Sequence, residues 1–149
     1  MHIKVQVVIE DSEAPVSEEI VCLERKDLSP ETLGLTLEEG KKLLSDIQKT
    51  MVDTQINEYI SNSRSCPHCG RDRILKDLSK TIHFRTVFGK LGISNPRFYT
   101  CNCQGSKKNS FSPLTDIFPE RISPELLYIQ TKWASLMSYG MTASLLEEV

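Results

Sequence analysis

The sequence predicts an α+β protein in three parts. These are a short β-hairpin plus a long helix over residues 1–63, a cysteine-anchored basic β finger over 64–108, and a linker with a helical segment over 109–149. Three observations carry this reading. Apolar residues alternate near the N-terminus and then switch to helical spacing. Two close cysteine pairs bracket the middle part. A Ser-Pro-Glu start opens the last helix.

Residues 2–9 form the first expected strand, with Ile3, Val5, Val7 and Ile9 on one face and Lys4 and Gln6 on the other. Val8 breaks that alternation. Residues 11–18 read as a loop, and Ile20 to Leu23 as a second strand hairpinned to the first. Cys22 within it is expected to be a small buried hydrophobe. A turn at Ser29-Pro30-Glu31 and Gly34 leads to Thr36 and Glu39, the two ends of a capping box. A helix is expected over about 37–61. Leu44, Ile47 and Met51 on it could pack at home or form a homodimer contact.

Cys66-Pro67-His68-Cys69-Gly70 is answered by Cys101-Asn102-Cys103. Two thiol pairs on tight turns, joined by a loop-sized insert, suit one tetrahedral zinc ion. Such an ion substitutes for a core that so polar a segment cannot build. The expected ligands are Cys66, Cys69, Cys101 and Cys103, and the finger is expected to be zinc-ribbon-like. His68 and His83 are alternative ligands, read more simply as a knuckle and a strand histidine. A thiol oxidoreductase built on Cys66 and Cys69 needs a strand before the motif and a helix starting at it. Helical periodicity precedes it instead, and Arg71-Asp72-Arg73 follows. Five cysteines, an odd number, and no secretory leader speak against a disulfide framework. An iron–sulfur cluster would use the same four thiolates.

Between the knuckles, 81–87 and 91–93 read as strands about a turn at Gly89-Lys90, and Arg97-Phe98-Tyr99 enters the second knuckle. Phe84, Phe88, Phe98 and Tyr99 are expected to fill the finger's apolar centre. Residues 104–119 read as loop. Ser123-Pro124-Glu125 starts a helix whose apolar face is Leu126, Ile129, Trp133, Leu136 and Met137. A turn at Tyr139-Gly140-Met141-Thr142, with Thr142 capping a further helix, gives a helix-turn-helix-like segment. That second helix has no stop signal, and the chain is expected to be cut off.

The net charge of −2 conceals an asymmetry. Residues 1–63 carry 6 Lys/Arg against 13 Asp/Glu, and residues 64–108 carry 10 Lys/Arg against 2 acids. A net of +8 around a metal site is a footprint for polyanions, against the plainer reading of a solvated lysine-rich loop. The expected DNA contacts are Arg71, Arg73, Lys76, Lys80, Arg85, Lys90, Arg97, Lys107 and Lys108. No stretch has the apolar length of a membrane span, so the expected location is the cytoplasm, at the nucleoid.

Cys-Pro-His-Cys-Gly, then Arg85-Thr86-Val87-Phe88-Gly89, Pro96-Arg97-Phe98-Tyr99, Cys101-Asn102-Cys103 and Phe111-Ser112-Pro113-Leu114 come in a distinctive order. Ser123-Pro124-Glu125-Leu126 and Ala134-Ser135-Leu136-Met137-Ser138-Tyr139-Gly140 follow. Over about residues 60–149 this resembles the N-terminal part of Kra-type bacterial insertion-sequence transposases. The resemblance implies zinc at the four cysteines, a DNA-facing finger, and a catalytic RNase H-like domain beyond this region. That domain would use three carboxylates and two metal ions. No catalytic role passes to Asp116, Glu120 or Glu125, and the expected function is DNA binding in transposition without catalysis by these residues. The alternative is a zinc-ribbon module joining subunits or a host factor.

Overall fold

The computed structural model describes residues 1–10, 16–78, 80–104 and 109–148. The described chain is α+β, with three α-helices and small antiparallel sheets. It divides into two compact units, Met1–Val52 and Asp53–Val149. Lys107 and Lys108 lie outside the described residues.

In the first unit, β1 (His2–Ile9) pairs antiparallel with β2 (Val16–Glu24). The register shifts between Val5 and Gln6, whose partners are Val21 and Glu19. Ile20 is the extra residue of this bulge, and so Ile20 and Val21 are half-buried in succession. Cys22 is exposed, because it follows Val21 on the alternation and faces away from the apolar side. The expectation of a buried Cys22 is thereby corrected.

After β2 the chain is held by Arg25. Its guanidinium donates to the carbonyls of Thr32 and Gly34 and to the Glu39 carboxylate at 2.7 Å. Glu39 accepts the Thr36 N–H at 2.9 Å, and the Thr36 hydroxyl accepts the Glu39 N–H at 3.2 Å. This reciprocal capping box opens α1 (Leu37–Arg64), which continues three residues beyond its expected end. None of its residues is fully buried.

In the second unit, β3 (Leu75–Asp77) is followed by a hairpin of β4 (Thr81–Thr86) and β5 (Gly89–Ser94). The turn falls at Val87-Phe88, ahead of the expected Gly89-Lys90. The reason is local. The Thr86 hydroxyl donates to the Gly89 carbonyl at 2.8 Å and accepts the Phe88 N–H at 3.1 Å. Gly89 itself takes φ 121°, a backbone shape open to glycine. Then β6 (Arg97–Tyr99) and β7 (Ser110–Phe111) join β3 in a three-stranded sheet of order β3-β6-β7. The sequence pattern predicts loop where β7 lies and no strand where β3 lies.

Ser123 caps α2 (Pro124–Leu136) as expected, accepting the Leu126 N–H at 3.2 Å. Leu126 is buried, and Ile129, Trp133 and Met137 are half-buried, whereas Leu136 is 72 % exposed. The interval 126, 129, 133, 137 follows the helical period; Leu136 falls off it. The third helix, α3 (Tyr139–Glu148), starts earlier than expected. Thr142 is not its cap. It lies one turn inside, buried, with its hydroxyl donating to the Ser138 carbonyl at 3.1 Å.

The core of this unit is Ile82, Leu91, Ile93, Phe98, Leu114 and Leu126. Phe84 meets Phe118 edge to face at 5.0 Å. Phe88 and Tyr99 are 44 % and 46 % exposed, so only part of the aromatic set fills the centre. Among the described residues no helix is long and apolar enough to cross a membrane.

Candidate metal centre

The first knuckle is a backbone device. The Gly70 N–H donates to the Cys66 carbonyl at 2.8 Å, and the Cys66 N–H to the Arg71 carbonyl at 2.9 Å. Gly70 closes the turn at φ 69°, in the left-handed region that glycine enters without steric cost. Pairing of Arg73 N–H with the Arg64 carbonyl at 2.8 Å fixes the chain on both sides. The second knuckle is a single 3₁₀ turn, Asn102–Gln104, directly after β6 and Cys101.

These turns bring all four expected cysteines together. Their sulfurs lie within 4.8 Å of one another. Cys66 and Cys103 approach to 3.5 Å, and Cys69 and Cys101 to 3.4 Å. All are free thiols, since a disulfide would hold the sulfurs about 2.05 Å apart. A tetrahedral ion with sulfur bonds of about 2.3 Å has sulfur–sulfur edges of about 3.8 Å. The cluster therefore matches the size of a four-thiolate cage and could hold a metal ion. His68 and His83 are exposed and stand outside this group.

The electrostatics favour a cation. The backbone N–H of His68, aimed at Cys66, is the main cause that lowers its thiol to about 6. The backbone N–H of Cys103 lowers Cys101 in the same way. Cys103 is pushed up to about 12, first by the sulfur of Cys101 and then by that of Cys69. Sulfurs this close cannot all carry charge by themselves. A divalent ion at their centre would remove that conflict and release protons.

The expected DNA-contact residues divide by environment. Arg73 is half-buried, donates to the Ser63 carbonyl at 3.0 Å and lies over Phe111 at 4.4 Å. Its buried Nε has no hydrogen-bond partner among the described residues. Arg97 and Lys76 both donate to the Ser110 hydroxyl, at 3.0 and 3.4 Å. Lys76 also stands over Tyr99 at 5.6 Å, and Arg97 reaches Asp77 at 4.0 Å. These three brace the three-stranded sheet. Arg71, Lys80, Arg85 and Lys90 are exposed, with no hydrogen bond or ion pair from their side chains among the described residues.

The class that fold and site define is thus an α+β chain with a four-thiol cage able to hold a metal ion. No family model, curated protein or solved structure matches it.

Proposed function

We propose that these residues form the zinc-stabilised, DNA-binding segment of an insertion-sequence transposase. The observation that carries the reading is a four-sulfur cage at the base of a segment with a net charge of +8. The order of motifs, which resembles that of Kra-type transposases, supports it. Cys66, Cys69, Cys101 and Cys103 would hold zinc, which cross-links the two knuckles in the manner of a zinc ribbon. The exposed cations would engage phosphates at the element ends. Helices α2 and α3 would form the helix-turn-helix-like part. Strand cleavage and joining would belong to a catalytic domain not contained in these residues.

The test is fluorescence anisotropy of the zinc-loaded chain against element-end and random duplexes, at about 50 to 200 mM salt. Binding should weaken linearly in log salt, by a slope of about 0.9 per neutralised phosphate. No binding at the lowest salt rejects the DNA role. Elemental analysis should find one zinc per chain.

A second reading is favoured by one observation. Leu37, Leu44 and Met51 recur at heptad spacing on α1 and are 78 %, 45 % and 51 % exposed. Such a stripe suits a homodimer seam, with Ile47 beside it half-buried. Light scattering on the DNA-free chain should then give a dimer mass, and Leu44→Glu with Met51→Glu a monomer. A monomer in the unaltered chain removes this reading.

A further inference from the structure

We infer that the solvent face of the β4–β5 hairpin is the surface that takes the phosphate backbone of duplex DNA, given the DNA-binding reading above. Strand alternation sorts the hairpin cleanly. Ile82, Phe84, Thr86, Leu91 and Ile93 turn inward. The other face is built from three cross-strand pairs, Thr81 with Ser94, His83 with Gly92, and Arg85 with Lys90. All six are exposed. The face thus offers hydroxyls, an imidazole and two cations. It contains no acid and no apolar side chain. Across from His83, a Cβ at Gly92 would meet Thr81 Cγ2 at 3.5 Å, an ordinary van der Waals contact.

The Arg85–Lys90 pair is the informative one. Arg85 donates its N–H to the Arg121 carbonyl at 3.0 Å, and its own carbonyl accepts the Ser123 N–H at 2.8 Å. Both backbone groups of Arg85 therefore point away from β5. This makes Arg85 and Lys90 a non-hydrogen-bonded pair, the kind in which opposed side chains stand closest. Two like charges so placed destabilise a sheet. Neither side chain has a hydrogen-bond or ion-pair partner among the described residues. Among the described residues Glu147 is the one acid lining the adjacent cleft of about 360 Å³, and it makes no ion pair with either. A bridging phosphate would remove the repulsion and bond both cations. By contrast, Arg73, Lys76 and Arg97 are engaged in the sheet beside the cysteines, as described above.

Replacing both cations by a strand-compatible neutral residue, Arg85→Thr with Lys90→Thr, tests the assignment. Anisotropy of the zinc-loaded chain on a duplex should show a salt slope shallower by about 1.8, at about 0.9 per cation. Across about 50 to 200 mM salt, the fall in affinity then shrinks by about twelvefold relative to the unaltered chain. Without DNA, the thermal midpoint of the variant should equal or exceed that of the parent, because the repulsion is gone. Lys49→Gln, at an exposed position of α1, should leave the slope unchanged. A parent slope in the hairpin variant, or the loss appearing in Lys49→Gln instead, overturns the assignment while the DNA reading stands. Failure of the unaltered chain to bind duplex removes the DNA reading and this surface together. If the double variant is unfolded by circular dichroism, Lys90→Thr alone is read, with a slope change of about 0.9.

Discussion

At the scale of single residues, the sulfurs of Cys66, Cys69, Cys101 and Cys103 lie within 4.8 Å of one another, as the ligands of one ion would. Replacing Cys69 by Ser should abolish stoichiometric metal uptake, as read by elemental analysis. Full uptake by Cys69→Ser would show that the cage is not the binding site. Arg25 gave no signal in the sequence, since its partner Glu39 is 14 residues away. The Arg25 guanidinium, followed by the Thr36 N–H, holds the Glu39 carboxyl below its ordinary 4.5. A depressed folded pKa contributes stability above 4.5, which is lost as pH falls through the lower folded value. Urea unfolding at about pH 7 and pH 3 should therefore show a steeper acid loss for the parent than for Glu39→Gln. Parallel pH profiles would contradict this.

Among elements, the long and the capped were readable. The Thr36/Glu39 box and Ser123-Pro124 announce α1 and α2 because capping requires particular side chains at fixed offsets. Ser123→Ala should cost about 1 kcal/mol in chemical denaturation. An unchanged midpoint would mean that the bond to Leu126 is idle. Strands β3 and β7, three and two residues long, carry too little pattern to stand out from loops. Their pairing is imposed by β6 between them. The hairpin turn falls two residues ahead of its expected place, because the φ of 121° at Gly89 serves the first position of β5 and not a turn centre. Gly89→Ala should destabilise by about 1 kcal/mol or more. A neutral outcome would show that the backbone relaxes there.

At the scale of the molecule, each unit has a thin interior. Among the described residues, the core of the second unit is Ile82, Leu91, Ile93, Phe98, Leu114 and Leu126 together with Cys66. Leu114 is 0 % exposed, and Leu114→Ala should cost about 2–5 kcal/mol by calorimetry or urea titration. That is a large share of the stability of an ordinary domain. The charge asymmetry, with acids early and bases in the finger, was readable as composition. Which bases remain available was not, since packing decides it. Phe111 and Ser110 engage Arg73, Arg97 and Lys76, and these contacts depend on the β6–β7 register.

Cys66 and Cys103, 37 positions apart along the chain, become neighbours in the cage. A cross-link over such a span removes roughly 4 kcal/mol of disorder from a denatured chain. An ion held by these sulfurs would act in this way, and its effect would vary with the free metal around it. Resistance to a protease such as thermolysin would then rise and fall with the supply of that ion.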